Sequence, residues 1–438
     1  MLSPSGKKLK KKITNKTAKV SVIGLGYTGL PLAIEIGKAG FSVIGIDIDK
    51  EKVDKIDSGN SYIPDVDEEE LSKLVSKNKL VATSDYKILK EIDIVSICVP
   101  TPLRKTREPD ISCIIAATSE VSKYLHRGQL IILESTTFPG TTKDIILPEL
   151  EKNSLKVGRD FFLSFSPERV DPGNKKYTIR NTPKVLGGIT PECTEIAKIF
   201  YEQFIEKVVT VGSTQEAEMT KLLENIFRSV NIALANELAL MCDRLGIDIW
   251  NVIEAATTKP FGFMPFYPGP GLGGHCIPID PVYLSWKAKT YGFYSKFIEF
   301  AEEVNKNMPY YVVRKITDAL NTHKKSVNGS KILILGVAYK EDVGDTRESP
   351  ALDIIEILCR QGAEIIYNDP YVPQIKIGER KWESLSLNES LLLQADCVVI
   401  TTAHSSYNYK WIVENTKLIV DTRNATKNLP NKDKIIKI

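Results

Sequence analysis

Residues 18–49, AKVSVIGLGYTGLPLAIEIGKAGFSVIGIDID, leave little choice of fold for the start of this chain. Lys19 to Ile23 is a short β-branched run, expected as a buried strand. Gly24, Gly26 and Gly29 make a GxGxxG turn, a helical pattern follows to Ala39, and a second strand, Ser42 to Ile46, ends on Asp47. Strand, glycine turn, helix, strand and acid in that order form a dinucleotide-binding unit. The first glycine makes the turn, the second lets backbone approach a pyrophosphate, and the third lets helix and strand pack closely. The helix N-terminus adds amide N–H groups and partial positive charge. Tyr27 and Thr28 lie inside the turn and count with it as cofactor contacts. Asp47 can accept from both ribose hydroxyls and would repel a 2′-phosphate, so NAD is expected over NADP. Lys52 either touches the adenosine end or is an ordinary solvated helix lysine.

The alternation continues. Ile92 to Val99 and Gln129 to Glu134 read as strands, ending in Pro100-Thr101-Pro102 and Ser135-Thr136-Thr137. Ligands of open α/β sheets collect at such carboxyl ends. Thr101 and Thr136 are therefore expected near the nicotinamide half of the cofactor, helix capping being the plainer role. Phe161 to Phe165 leads into SPERVDPG, where Glu168 and Arg169 follow an apolar strand and suggest a site rather than a surface. A second set of strands begins at Lys331 to Val337 and continues at Ile365 to Asn368, Cys397 to Thr401 and Leu418 to Asp421, without a second GxGxxG. Lys340 and Arg347 follow the first of these and Arg423 the last. Cations there suit a pyrophosphate, surface ion pairing being the alternative.

The expected fold is α/β: two Rossmann-like doubly wound domains joined by a long central helix and a helical middle region. The boundaries read as a basic flexible tail at 1–17, an NAD-binding domain at 18–212, a central domain at 213–325 and a second Rossmann-like domain at 326–438. The tail, with KKLKKK, lacks the apolar run of a signal peptide. No apolar run reaches membrane-span length, and a net charge of +3 argues against nucleic acid or an anionic membrane as partner. Seven scattered cysteines with no CxxC pair exclude a disulfide framework and a structural zinc site, and fit a reducing cytoplasm.

Between the two sheets, Ser213 to Leu245 carries apolar residues at helical spacing, with Ser213 as N-cap and Gly246 as C-cap. Lys221 and Asn225 share one of its faces, and a helix of this length often bridges domains or builds a dimer interface. Thr258 to Pro281 is rich in proline and glycine, the composition of a long ligand-carrying loop. Its Phe266 and Tyr267 either stack on a flat ligand or pack the loop. GPGLGGHCIPID, at 269–280, then holds Cys276, with Asp280 four residues on. A thiol with a nearby carboxylate can serve as a covalent catalyst, although a buried structural cysteine is equally ordinary. His275, next to the thiol, points away from it in an extended loop and is not expected to be its base.

GLGYTGLP, VPTP, ESTTFPG, SPERVDPGN, the lysine–asparagine helix, GGHCIPIDP, AYKEDVGDTRESP and DTRN stand here in the order found in the UDP-glucose/GDP-mannose dehydrogenase family, and the chain resembles that family over about residues 18–435. Its thiol loop is most similar to the branch acting on UDP-N-acetylglucosamine. The resemblance implies a four-electron oxidation of a UDP-sugar at C6 with two NAD, through a thiohemiacetal and a thioester on Cys276, in surface polysaccharide synthesis. It implies Lys221 as an oxyanion-stabilising cation, Asp280 as the carboxylate working with a bound water, and Glu168 and Thr136 as orienting that water. Asn225, the Phe266-Tyr267 stretch, Gly273, Lys340 and Arg423 match sugar-nucleotide contacts, and Arg347 a cofactor contact. The family dimerises through the long helix, so a homodimer or dimer-based oligomer is expected. Pro172 replaces a glutamate of the UDP-glucose branch, and that cofactor contact does not transfer. UDP-N-acetylmannosamine, UDP-N-acetylgalactosamine and UDP-glucose stand as alternative substrates. A one-step hydroxyacid dehydrogenase of the 6-phosphogluconate type would need neither Cys276 nor a second α/β domain, and a non-catalytic sensor would have lost Cys276, Lys221 or Asp280.

Overall fold

The computed structural model of the chain describes residues 2–438 except Pro64, Asp65, Pro172, Lys175, His275 and Asn431, so the expectations for His275 and Pro172 fall outside the described residues. The chain divides into two compact units, Met1–Glu224 with Val282–Gly292, and Asn225–Pro281 with Phe293–Ile438. The division falls inside the central helix, Thr214–Leu245.

In the first unit, β1 (Lys19–Ile23), β2 (Ser42–Ile46), β3 (Leu80–Thr83), β4 (Ile94–Ile97), β5 (Leu130–Leu133), β6 (Phe162–Phe165), β7 (Lys184–Gly188) and β8 (Val208–Thr210) form one sheet in the order β3-β2-β1-β4-β5-β6-β7-β8. All neighbours run parallel except β6 and β7. The inner strands β4, β5 and β6 are buried at every position because both faces are covered. Along β5, Leu130 and Ile132 enter one core with Leu32 and Phe200, while Ile131 and Leu133 enter the other with Ile114 and Val121. Chain order reverses between β1 and β4, which is where such a sheet opens a crevice for ligand.

The expected flexible tail is instead a helix, Pro4–Thr14. Gly6, Leu9 and Ile13 recur at helical spacing and are buried, and Leu9 and Ile13 belong to the core of the first sheet. The Ser3 hydroxyl caps the helix by accepting from the Gly6 amide at 3.1 Å, and donates to Glu192 at 2.6 Å. Lys12 pairs with Asp93 at 2.5 Å, and the exposed lysines are only the outer face.

In the second unit, β9 (Lys331–Leu335), β10 (Glu364–Asn368), β13 (Cys397–Ile400), β14 (Ile419–Asp421) and β15 (Ile435–Lys437) form a fully parallel sheet in the order β10-β9-β13-β14-β15. An antiparallel hairpin of β11 (Gln374–Ile377) and β12 (Arg380–Glu383) is inserted after β10. The expected α/β class with two Rossmann-like sheets is thus what the chain adopts, parallel throughout except at the β6–β7 pair. A second long helix, Lys296–Thr322, buries Val312, Ile316 and Leu320 against this sheet. Among the described residues no helix is long and apolar enough to cross a membrane.

Candidate active site

In the first unit, the turn after β1 shows why three glycines are needed. Gly24 has φ +88°, and a Cβ there would lie 2.6 Å from the Cys98 carbonyl oxygen. A Cβ at Gly29 would sit 1.8 Å from the Gly24 oxygen, so only glycine lets the helix start so close to the strand. A Cβ at Gly26 would meet nothing within 4 Å. Packing does not require glycine there; its bareness leaves backbone open to a ligand, as a pyrophosphate needs. At the end of β2 the Asp47 carboxylate accepts from the Leu25 amide at 2.8 Å and the Asp49 amide at 3.0 Å, with the Lys52 ammonium at 3.7 Å. The Tyr62 hydroxyl donates to the Leu25 carbonyl at 2.5 Å and locks the turn from behind. Tyr27 is exposed and Thr28 half-buried. Thr101, past β4, offers its carbonyl to the Tyr283 hydroxyl at 2.8 Å. These residues fit NAD: an open glycine turn at the switch point, with an acid at the neighbouring strand's end.

Thr136 and Glu168 follow β5 and β6, neighbours in the sheet. Thr136 is half-buried. One oxygen of Glu168, Oε1, accepts from the Arg169 and Val170 amides at 2.7 and 2.6 Å, fixing the carboxylate over its own turn. The Lys221 ammonium donates to the Glu168 carbonyl at 2.7 Å. Arg169 makes a fork to Glu224 at 2.6 and 3.2 Å and donates to the Pro183 carbonyl at 2.6 Å. Lys221 and Arg169 thereby tie the loop carrying Glu168 to the central helix.

Three features of this unit escaped the sequence reading. Tyr62 lies in a stretch without a motif. Glu218, one turn before Lys221, is buried and accepts from the Gly140 and Thr142 amides at 2.6 and 2.9 Å and from the Thr142 hydroxyl at 2.7 Å. Burial pushes its carboxyl up to about 7, against these hydrogen bonds. Glu134 and Lys184 form a buried ion pair at 2.5 Å, with the Tyr201 hydroxyl on the other Glu134 oxygen at 2.5 Å. A charged residue directly after an apolar strand, as Glu134 follows β5, was the available signal.

In the second unit, the Asn225 amide donates to the Asp280 carboxylate at 2.5 Å, and Asp280 is 2% exposed. The Asp280 amide donates to the Cys276 carbonyl at 2.8 Å, so the half-buried thiol sits on the turn that starts helix Asp280–Lys289. The glycine-rich approach is held by amides. Asn236, on the central helix, accepts from the Gly269 amide at 2.9 Å and donates to Asn305 at 2.9 Å. Pro309 has no N–H for the Asn305 carbonyl four residues back, and a Cβ at Gly271 would come within 3.2 Å of that oxygen. A Cβ at Gly273 would strike Tyr339 at 2.6 Å, and the Gly274 amide donates to the Arg347 carbonyl at 3.0 Å. Phe266, half-buried, packs edge-on against Phe227, and Tyr267 stacks on Trp250 while staying exposed.

Lys340 and Arg423 stand past β9 and β14, and Arg347 pairs with Asp345 at 2.6 Å. The Arg423 guanidinium donates to the Thr401 carbonyl at 2.9 Å, and a Cβ at Gly269 would lie 2.8 Å from it. Burial pulls Arg423 down to about 10 even with Glu341 and Asp421 acting the other way. A half-buried cation just past the carboxyl end of a parallel strand is suited to an anion such as a diphosphate.

Three family models match the chain in sequence. The NAD-binding domain of the UDP-glucose/GDP-mannose dehydrogenase family matches residues 18–205, the central domain 215–307 and the UDP-binding domain 333–428. UDP-N-acetyl-D-glucosamine 6-dehydrogenase of Pseudomonas aeruginosa is 37% identical over 363 residues, covering 82% of this chain and 84% of that protein. UDP-N-acetyl-D-mannosamine dehydrogenase of Pyrococcus horikoshii is 36% identical over 420 residues, covering 94% and 97%. A solved structure of the UDP-D-ManNAc dehydrogenase from Pyrococcus horikoshii superimposes with a TM-score of 0.87 at 35% identity, over 96% of this chain and 99% of that one. With its glycine turn, its thiol loop and all three domain matches in register, the chain belongs to the UDP-glucose/GDP-mannose dehydrogenase family and is a nucleotide-sugar dehydrogenase that uses NAD.

Proposed function

We propose that the protein oxidises the C6 hydroxyl of a UDP-linked N-acetylhexosamine to the uronic acid, with UDP-N-acetylglucosamine as substrate and a covalent adduct on Cys276. The Cys276 turn carries this reading: its carbonyl receives the Asp280 amide, and Asn225 holds the buried Asp280 carboxylate. NAD, when bound, accepts a hydride in each of two oxidations. Between them the Cys276 thiolate adds to the C6 aldehyde, so the reactive carbonyl stays on the protein and the second hydride is presented. The resulting thioester is cleaved when water attacks the acyl carbon, the carbon–sulfur bond breaks and the uronate leaves.

Asp280 exchanges protons with a bound water, Lys221 stabilises the oxyanions, and Glu168 and Thr136 orient the hydrolytic water. The Gly24–Gly29 turn with Tyr27 and Thr28, together with Asp47, Lys52, Thr101 and Arg347, serves the cofactor. Arg169, Asn225, Phe266, Tyr267, Gly273, Lys340 and Arg423 serve the UDP-sugar. The enzyme works as a homodimer in a reducing cytoplasm, which keeps Cys276 a thiol.

The choice of N-acetylglucosamine is supported by the Pseudomonas aeruginosa relative, whereas the Pyrococcus horikoshii relative favours UDP-N-acetylmannosamine as the second reading. NADH yield per sugar, measured in parallel with UDP-linked GlcNAc, ManNAc, GalNAc and glucose, tests both. Two NADH per UDP-N-acetylglucosamine with the others slow is the expected result. Two NADH from another sugar moves the substrate and keeps the chemistry; one NADH from every sugar removes the thioester.

A further inference from the structure

The Glu134–Lys184 pair lies beneath the two loops to which the water of the hydrolytic step is assigned, and the mechanism above does not use it. Glu134 is 0% exposed and directly follows β5, two residues before Thr136. Lys184 is 6% exposed and opens β7, the strand beside β6, which leads to Glu168. The Lys184 ammonium has three oxygen neighbours: Glu134 Oε2 at 2.5 Å, the Pro167 carbonyl at 3.2 Å and Glu168 Oε2 at 3.8 Å. It also stands 5.4 Å from the centre of the Tyr201 ring, whose hydroxyl holds Glu134 Oε1. Burial alone would pull the ammonium down; the Glu134 and Glu168 carboxylates overcome this and hold it above the usual lysine range.

A buried ion pair is poor value for stability, because desolvating both ions offsets most of their attraction. Its presence here is better explained by what it touches. One ion sits in the chain leading to Thr136, and the other grips both the backbone before Glu168 and its carboxylate.

We infer that Glu134 and Lys184 are positioning residues for the hydrolytic half of the reaction, fixing Glu168 and Thr136 relative to one another so that they direct water at the thioester. The inference rests on the thioester reading. In the step concerned, the water held by Glu168 and Thr136 bonds through its oxygen to the acyl carbon and gives a proton to Asp280, the group that exchanges protons with it. The carbon–sulfur bond breaks with its electron pair going to Cys276 Sγ. Both hydride transfers precede this step, so loosening the pair slows release of product without slowing the two NADH-forming steps of the first turnover.

The test uses full-length protein with UDP-N-acetylglucosamine, or whichever of the four sugars gives turnover. Glu134→Gln/Lys184→Met removes both charges together, leaving no lone buried ion, and Tyr201→Phe removes only the hydroxyl that steadies Glu134. Rapid-mixing absorbance should show a parental burst of two NADH per subunit in both variants. Steady-state turnover should then fall about a hundredfold in the double variant, the range of a lost acid–base orientation, and severalfold in Tyr201→Phe. Mass spectrometry of quenched protein should find the acyl adduct on Cys276 accumulating in the same order. Parental turnover in both variants overturns the proposal, and so does slow turnover with a slowed burst and no adduct. Cys276→Ser, run alongside, separates the two readings. Normal uronic acid formation in that variant ends the thioester mechanism itself, whereas an inactive Cys276→Ser with unaffected pair variants ends only the positioning role.

Discussion

Glu218 is a carboxylate in an unfavourable place, and its protonation should be visible in stability. Its folded value, about 7, lies above the ordinary 4.5 because burial outweighs the three hydrogen bonds from Gly140 and Thr142. Between those two values the folded state binds more protons at this site than the unfolded chain does. The contribution of Glu218 therefore falls as pH rises from about 4.5 to about 7 and is level above that, a change on the order of 3 kcal/mol. Glu218→Gln carries no such proton. The difference in melting temperature between variant and parent should shift in favour of the variant across that window, as differential scanning calorimetry at several pH values would read. A difference that does not vary with pH would mean that Glu218 ionises normally. None of this was legible beforehand, since a glutamate one turn from Lys221 on a polar-looking helix reads as solvated.

The central helix, Thr214–Leu245, was the easiest element to read, because both ends are marked. The Glu216 amide donates to the Ser213 hydroxyl at 3.2 Å, and Gly246 takes φ +70° just past the last turn. Its exposed side chains are less ordinary: Leu223, Phe227, Leu234, Leu238, Met241 and Leu245 all face solvent. Apolar residues spaced so along one helix are what a helix-mediated dimer buries. Leu234→Arg/Leu238→Arg should halve the mass seen by sedimentation velocity while leaving the far-ultraviolet circular dichroism unchanged; a parental mass would put the dimer contact elsewhere. Short elements were harder. β7, β8 and the β11–β12 hairpin have three to five residues each, too few for alternation to stand out. The N-terminal helix is hidden in the sequence for another reason. Its lysines dominate the composition, while the period that decides the matter, Gly6-Leu9-Ile13, is carried by three residues.

Across the whole molecule, the two sheets solve the same problem twice with different equipment. Each has a glycine at positive φ after its first strand, Gly24 and Gly336, and an acid after the neighbouring strand, Asp47 and Asp369, that accepts from the turn amides. The first leaves bare backbone at a second glycine, and the second supplies the half-buried Arg423. Asp47→Ala should weaken NAD binding at least tenfold and leave the affinity for UDP unchanged. Arg423→Met should do the reverse, losing about 1.5–3 kcal/mol of UDP binding, the worth of a charged hydrogen bond. Calorimetric titration of both variants with both ligands checks this, and a variant that loses both ligands would contradict the division of labour. What the sequence revealed were the residues expected to touch ligand, because turns, strand ends and the thiol loop have local signatures. Residues that hold those in place, such as Glu134, Lys184, Asn236 and Asn305, meet only after folding and leave no pattern along the chain.

The N-terminal helix turns a liability into a gauge. A run such as KKLKKK is ordinarily where trypsin cuts first, but a protease needs about ten residues of extended chain, and here Leu9 and Ile13 would have to leave the core of the first sheet to supply them. The rate of nicking at these lysines consequently clocks the opening of the NAD-binding unit. Followed with and without NAD, it measures how firmly the cofactor holds that unit shut, using peptide bonds the protein already carries and no added label.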